Sequence, residues 1–224
     1  LLSLLLLTGC NDPKHVTDAL TRAEALMNEY PDSAWAVLNT LSPDEMGQNR
    51  TRAHYALLYT QAQDKNYIDE TNDSLISIAV DYYKDTEEVR PKFFSYYYLG
   101  RIYTNANELT KAMLAYMEAE QLVDELGDDY YAGLLLREMG YIYKLYYDFP
   151  KSIHACQRAI ESFTRANKPV HKVQTMFRLS TNYRNMNENE SGYQILKTAL
   201  VEVQELNDQS LIKSCLNNLI VACI

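Results

Sequence analysis

The residue types that most often carry enzymatic chemistry are few in this chain and far apart. The four histidines are His15, His54, His154 and His171. No two of them have the four-residue spacing that would place a pair of metal ligands on one helix face, and no HExxH segment is present. His154 lies two residues before Cys156, and side chains at that spacing point in different directions on a helix. This pattern predicts no catalytic centre, no metal site and no cofactor, so we expect the chain not to be an enzyme.

Three of the four cysteines also lack a chemical pattern. There is no CxxC pair. Cys215 and Cys223 stand two turns apart on a predicted helix, which is too far for a disulfide. Cys156 occupies a position that holds large core residues elsewhere in the chain, and a free thiol behaves there as a small apolar group. We interpret these three cysteines as packing residues.

The remaining cysteine, Cys10, directly follows a short apolar run. Residues 1–7 read LLSLLLL, which is too short to cross a bilayer as a helix and is typical of the apolar core of a signal peptide. The run continues as Leu7-Thr8-Gly9-Cys10, which looks like a bacterial lipobox. That resemblance implies an acylated Cys10 at the mature N-terminus and a location in the cell envelope, on the periplasmic or the surface side. An ordinary signal peptide with a chance cysteine remains the alternative.

The composition limits the classes of protein to which the chain can belong. The 224 residues carry a formal net charge of −9, so this region is poorly suited to nucleic acid, whose phosphates require a basic surface. Only seven glycines and six prolines are present, which argues against a β-rich or disordered chain. The chain has 19 tyrosines against one tryptophan, and several are adjacent, at 96–98, 130–131 and 146–147. Adjacent residues of a helix cannot all point inward, so some of these rings must face the groove or the next repeat.

The elements that position these residues are predicted to be helices. From Pro13 onward, apolar residues recur every three or four positions. The segment 30–33 reads YPDS, which ends one helix and caps the next, because proline suits the first helical turn and Asp or Ser suits the N-cap. Residues 15–84 therefore predict two helix pairs.

A 40-residue repeat then sets in. Six positions hold their register across three copies, and such internal repetition determines the expected fold. The equivalent sets are Leu99, Met139 and Leu179; Gly100, Gly140 and Ser180; Tyr103, Tyr143 and Tyr183; Ala112, Ser152 and Gly192; Tyr116, Cys156 and Leu196; and Ala119, Ala159 and Ala199. We expect the tyrosines at these positions to lie in the core. A further copy begins at Ser210 and the sequence ends inside its first helix.

In these residues the chain resembles the tetratricopeptide repeat family. The family motif is fullest in the stretch Tyr96-x2-Leu99-Gly100-x2-Tyr103, followed by the small residues of the second helix. The period is 40 residues and not the family's 34, and the closing proline is missing from all three copies. The resemblance implies an all-α, right-handed α-solenoid of antiparallel helix pairs, whose first helices line a concave groove.

The N-terminal half adds a second resemblance. Residues 31–34 read PDSA and residues 65–69 read KNYID. Together with the lipobox and the repeats, they resemble the N-terminal part of envelope-anchored regulatory proteins with tetratricopeptide repeats. A regulatory role follows from this by analogy only.

The expected organisation has seven parts. They are a partial signal peptide at 1–9, a lipidated tether at 10–14, two degenerate helix pairs at 15–84, three repeats at 93–126, 133–166 and 173–206, and the first helix of a truncated repeat at 210–224.

The family resemblance also indicates which side chains face the groove. In the family these are positions 2, 5, 9, 12 and 13 of each first helix. The candidate peptide-binding residues chosen from them are Tyr97, Arg101, Asn105, Arg137, Tyr141, Lys144, Phe177, Arg184 and Asn185. Four of these are cations and none is acidic, although the whole chain is acidic. Arginine suits carboxylates and stacks on aromatic rings, so we hypothesise that the groove binds an acidic or C-terminal-carboxylate peptide. The alternative is that these cations pair with acids nearby.

Three functions remain open from the sequence. The first is a non-catalytic scaffold that binds a protein or peptide and is anchored to the envelope membrane through Cys10. The second is the sensor domain of a longer membrane-bound signalling or transcriptional regulator. The third is a glycan-binding lipoprotein. The sequence leaves the partner and the oligomeric state undetermined.

Overall fold

The computed structural model of the protein describes residues 12–222 and their side chains up to residue 221. Within these residues the chain forms α-helices, one short 3₁₀ turn at Pro43–Glu45 and no β-strand, so the predicted all-α fold is confirmed. The helices are α1 (Lys14–Leu26), α2 (Pro31–Leu38), α3 (Asn49–Lys65), α4 (Ser74–Tyr83), α5 (Val89–Asn105), α6 (Leu109–Glu120), α7 (Val123–Leu126), α8 (Asp129–Leu145), α9 (Phe149–Arg165), α10 (Pro169–Asn185), α11 (Asn189–Leu206) and α12 (Gln209–Ala222). None of these helices is both long and apolar enough to span a bilayer.

The helices form two compact units, one up to Leu122 and one from Val123 onward. In unit 1, α1 packs on α2, α3 on α4, and α5 on α6. In unit 2, α8 packs on α9 and α10 on α11, while α12 contacts α10 and α11. We call α1, α3, α5, α8, α10 and α12 the first helices, and their partners α2, α4, α6, α9 and α11 the second helices.

The turns between helices explain the 40-residue period. Residues with φ between 51° and 63° stand at 67, 107, 127, 147, 167, 187 and 207, which places one left-handed residue every 20 positions from 107 to 207. In five of these turns the left-handed residue and its successor close a Schellman motif. In one of them, Tyr147 N donates to Lys144 O (3.0 Å) and Asp148 N donates to Tyr143 O (2.9 Å). Each 40-residue unit is therefore two helix-and-turn modules of equal length, and the predicted period is confirmed.

The helices account for the residues added to the family's usual repeat. The first helices α5, α8 and α10 begin at residues 89, 129 and 169, each four positions before the predicted repeat starts at 93, 133 and 173. Each has 17 residues, as does the second helix α9. The additional residues thus lengthen the helices on both sides of the inter-repeat turn.

The repeated small residues let helices of one pair approach closely. A Cβ atom added at Gly100 would overlap the ring of Tyr116, which is fully buried. The tyrosines at the other repeated position differ from expectation, because Tyr103, Tyr143 and Tyr183 are only half-buried. Their hydroxyl groups need polar partners near the surface, and Tyr103 Oη donates to Asp73 Oδ2 at 2.7 Å.

The first residue that the structure describes, Asp12, fastens the N-terminal segment to helix α3. Its Oδ1 accepts hydrogen bonds from Gly47 N (2.6 Å) and Gln48 N (3.1 Å), and Oδ2 accepts one from the hydroxyl of Thr51. These bonds hold the pKa of the Asp12 carboxyl below its usual value, chiefly through Thr51. Asp12 thus binds the two residues that precede α3 and the side chain of Thr51 in its first turn. The predicted lipidation residue, Cys10, lies outside the described residues.

Candidate functional site

The candidate residues of unit 1 are occupied by contacts within the fold. Tyr97 does not line an open groove, because its side chain is only 4% exposed. Its ring stacks on Phe93 at 6.0 Å between centroids and lies 6.1 Å from the ring of Tyr116. Tyr97 packs against the large ring of Tyr116 in the second helix and is therefore a core residue. Its assignment to the groove is wrong.

Arg101 and Asn105 are tied to the preceding helix pair. Arg101 Nε donates to Asp64 Oδ1 at 2.8 Å, and both side chains are about three-quarters buried. Asn105 Nδ2 donates to the main-chain oxygen of Glu70 at 3.1 Å. For Arg101 the structure thus favours the alternative interpretation, in which a groove cation pairs with a neighbouring acid.

In unit 2, Arg137 is directed into the packing between helices. Its side chain is 15% exposed, and Nη1 lies 3.2 Å from His171 Nδ1. Because guanidinium can only donate, Nδ1 of His171 is the acceptor in this contact, as in the neutral imidazole. Arg137 also lies over the ring of Phe163, at 5.8 Å, and 3.5 Å from a carboxylate oxygen of Glu138. Arg137 therefore contacts side chains of α8, α9 and α10.

The remaining candidates of unit 2 are more accessible. Lys144 and Arg184 occupy the same register position on the first helices α8 and α10, and both are half-buried. Within residues 12–222 neither of them forms an ion pair with a carboxylate. Tyr141 is 37% exposed, Asn185 is exposed and Phe177 is half-buried.

One further residue of α10, Arg178, belongs to this surface, although nothing in the sequence pattern singled it out. The Arg178 guanidinium lies over the ring of Tyr141, at 5.6 Å from Cζ to the ring centroid. Asn182, one turn later, is a core residue: it is 1% exposed, and its Nδ2 donates to Ser152 Oγ at 2.7 Å. The equivalent positions of the two preceding copies hold the buried Ile102 and Ile142. We call Tyr141, Lys144, Arg178 and Arg184 the unit 2 face.

A buried thiol lies beneath this face. Burial raises the pKa of Cys156 to about 11, while the positive charges of Arg178 and Lys144 act in the opposite direction. A thiol with so high a pKa is protonated at neutral pH and is a poor nucleophile, so the interpretation of Cys156 as a packing residue holds.

Two concave regions lie elsewhere in unit 2. One, of about 290 Å³, is lined by charged side chains that include the ion pair of Arg165 with Asp129. The other, of about 350 Å³, is apolar and runs between α9, α10 and α11 over Ile160, Met176 and Ile195. Among residues 12–222, no group of three or more His, Cys, Asp or Glu side chains is arranged to hold a metal ion.

Comparison with known proteins and structures identifies the type of fold that these helices form. No protein-family model matches the chain, and no curated protein matches its sequence significantly. The apo form of RapI superposes on 92% of the chain with a TM-score of 0.76 and 18% identity. A Rap protein complexed with Competence and Sporulation Factor covers 92% of the chain, with a TM-score of 0.67 and 17% identity. A STAND protein of Pyrococcus horikoshii with a tetratricopeptide repeat sensor also covers 92%, with a TM-score of 0.71 and 14% identity.

The chain therefore has a tetratricopeptide-like fold. At these identities the similarity is one of fold. The chain spans 59% of the length of each Rap protein and 33% of the STAND protein.

Proposed function

We propose that this chain is a non-catalytic repeat domain that binds a protein or peptide, and that the unit 2 face takes an acidic segment of that partner. The observation that carries the proposal is a pair of cations, Lys144 and Arg184, which stand at one register position of neighbouring first helices and have no carboxylate partner among the described residues.

The contrast with unit 1 supports this choice. Arg101 already has a carboxylate partner in Asp64, so an anionic ligand there would have to displace an existing ion pair. Lys144 and Arg184 have no such partner in the described part of the chain, and a ligand carboxylate would gain charge-assisted hydrogen bonds without breaking any. Tyr141 provides an exposed ring beside them.

The structural relatives are compatible with binding or sensing. One was determined in complex with Competence and Sporulation Factor, and the repeats of another are described as a sensor. The sensor role is thus the second candidate for this chain. The third, glycan binding, is favoured by the exposed rings of Tyr146 and Tyr147 at the turn between α8 and α9, and a glycan array with the purified protein would detect it.

The proposal includes an envelope location, with the chain anchored through acylated Cys10. Its support is the sequence pattern before and around this cysteine. Two or more acyl chains would hold the protein stably at a membrane, which a single chain does not.

An array of fluorescein-labelled acidic octapeptides with free C-termini tests binding by the unit 2 face. We expect Lys144→Glu with Arg184→Glu to weaken the tightest peptide by about tenfold or more, because each lost charge-assisted hydrogen bond is worth about 1.5–3 kcal/mol. Affinity is measured by fluorescence polarisation at low and physiological salt.

The matched control is Lys151→Glu with Lys197→Glu, which makes the same change of charge on the second helices α9 and α11. We expect this variant to bind almost as the wild type does. Equal losses in the two double variants would show that only net charge matters, and unchanged binding by the first would refute the proposal.

A further inference from the structure

The turn between α8 and α9 exposes a run of large apolar side chains. Leu145 is 38% exposed, Tyr146 is 54% exposed and Tyr147 is 80% exposed. Met186, in the turn between α10 and α11, stands at the register of Tyr146 and is 37% exposed. Because α9 packs on both α8 and α10 through short turns, α8 and α10 run in the same direction and the two turns lie at one edge of unit 2. We call these four residues the turn patch.

The internal repeat shows that the fold does not require apolar residues in this turn. Residues 145–147 read LYY, whereas the equivalent residues read NAN at 105–107 and NMN at 185–187. The three turns close with the same main-chain hydrogen bonds, so the polar sequences are sufficient for the turn. Clustered exposed apolar side chains are typical of interaction sites. The second copy therefore carries an apolar surface that its turn does not need.

Tyr147 stands in this turn at a cost to the fold. Its φ is 59°, in the left-handed region that is unfavourable for a bulky side chain. Asn107 and Asn187 adopt the same conformation in the other two copies, where asparagine tolerates it. The ring of Tyr147 lies edge-on to Phe149, at 6.0 Å between centroids, and remains mostly exposed. Backbone strain that the fold does not require is typical of residues with a function.

The turn patch continues the surface of the unit 2 face. Lys144 directly precedes Leu145, and the spacing of Tyr141, Lys144 and Leu145 places the three on one face of α8. No Asp or Glu occurs between residues 139 and 147, and none occurs in α10. Positive charge and apolar surface therefore adjoin each other here, without an acid between them in the sequence.

We propose that the turn patch binds a bulky apolar side chain, such as phenylalanine or leucine, that flanks the acidic segment of the peptide held by the unit 2 face. This inference rests on the proposed function and defines its ligand more narrowly. A sugar could also stack on an exposed ring, but it needs polar groups beside that ring. The carboxylate next to Tyr147, that of Asp148, already accepts from Lys151 N at 3.3 Å and lies 2.9 Å from Lys151 Nζ.

Acidic octapeptides that carry either phenylalanine or serine at one position test this inference by fluorescence polarisation. At one position we expect phenylalanine to bind the wild type about tenfold more tightly than serine, because its ring is removed from water. Tyr146→Ala with Tyr147→Asn reproduces the residues Ala106 and Asn107 of the first copy. This double variant should reduce the ratio of the two affinities to about twofold or less, because the apolar surface is lost.

The matched control is Tyr67→Asn, which removes an exposed tyrosine of the same backbone conformation from unit 1 and should keep the wild-type ratio. A thermal melt verifies that both variants are folded. An equal affinity for the two peptides in the wild type, or the same ratio in the wild type and the double variant, would overturn the inference while leaving acidic-peptide binding intact. Displacement of the peptide by a glycan that the double variant no longer binds would also overturn it. If no octapeptide binds the wild type, the inference and the proposed function are both refuted.

Discussion

At the scale of single residues, the size of a side chain on the second helix determines how small the residue that faces it on the first helix must be. Gly100 faces the buried ring of Tyr116, and an added Cβ would overlap that ring. Gly140, 40 residues later, faces the smaller Cys156, and an added Cβ would lie 3.5 Å from its sulfur and 3.4 Å from Ala155 Cβ. Two glycines at the same register are thus under different constraints.

This difference predicts opposite tolerance to alanine. Gly100→Ala should lower the free energy of unfolding by about 1–3 kcal/mol, because Tyr116 has no room to move in a close-packed core. Gly140→Ala should stay within about 1 kcal/mol of the wild type, since its contacts are acceptable and alanine favours the helix. Urea unfolding of both variants measures the two values. Equal losses would contradict the size-matching explanation.

At the scale of the helix and its turn, the left-handed residue ends each module. Asparagine or glycine stands at five of these positions, and both adopt this conformation at low cost. Tyr67 and Tyr147 stand at the other two, although the conformation is unfavourable for a bulky side chain. Their side chains are 93% and 80% exposed, so burial does not compensate for the strain.

Replacing the more exposed of these tyrosines should stabilise the fold. We expect Tyr67→Asn to raise the free energy of unfolding by about 1 kcal/mol, because asparagine tolerates the left-handed conformation. The reverse change in the next hairpin of unit 1, Asn107→Tyr, is the control and should lower it by a similar amount. Chemical denaturation provides the comparison, and a loss of stability in Tyr67→Asn would count against strain at this turn.

Contacts between neighbouring helix pairs also determine which of the predicted groove cations already have a partner. Arg101 and Asp64 are 37 positions apart in the sequence, and Arg137 and His171 are 34 apart, so each pair joins one helix pair to the next. A pattern read along one helix does not contain these partners. Arg101 and Arg137 therefore have partners that the repeat register does not reveal, whereas Lys144 and Arg184 remain without a carboxylate partner in the described part of the chain.

At the scale of the whole molecule, the hydrogen bonds of Asp12 limit the distance between the folded domain and the proposed lipid anchor. Asp12 is bonded to the start of α3, and only one residue separates it from Cys10. If Cys10 is acylated, the tether between lipid and folded domain is short, since two residues span at most about 7 Å.

Acylation of Cys10 predicts a mass and a location. The mature protein isolated from bacterial membranes should begin at Cys10 and carry the additional mass of its acyl chains, measured by intact-protein mass spectrometry. Cys10→Ser should leave the membrane fraction, because the anchor is lost, whereas Cys223→Ser should remain in it. Retention of Cys10→Ser in membranes would refute anchoring through this residue.

The sequence alone determined the helical class, the 40-residue period and the small positions of the repeat. These features could be predicted because two helices that pack closely require small residues at fixed positions, and the same requirement applies in every copy of the repeat. Only the tertiary structure decided the site. Tyr97 lies in the core because Tyr116 packs against it, and Arg101 is neutralised by an acid from another helix pair. The buried position of Asn182 likewise depends on a partner 30 residues away in the sequence, because its amide donates to Ser152 of α9.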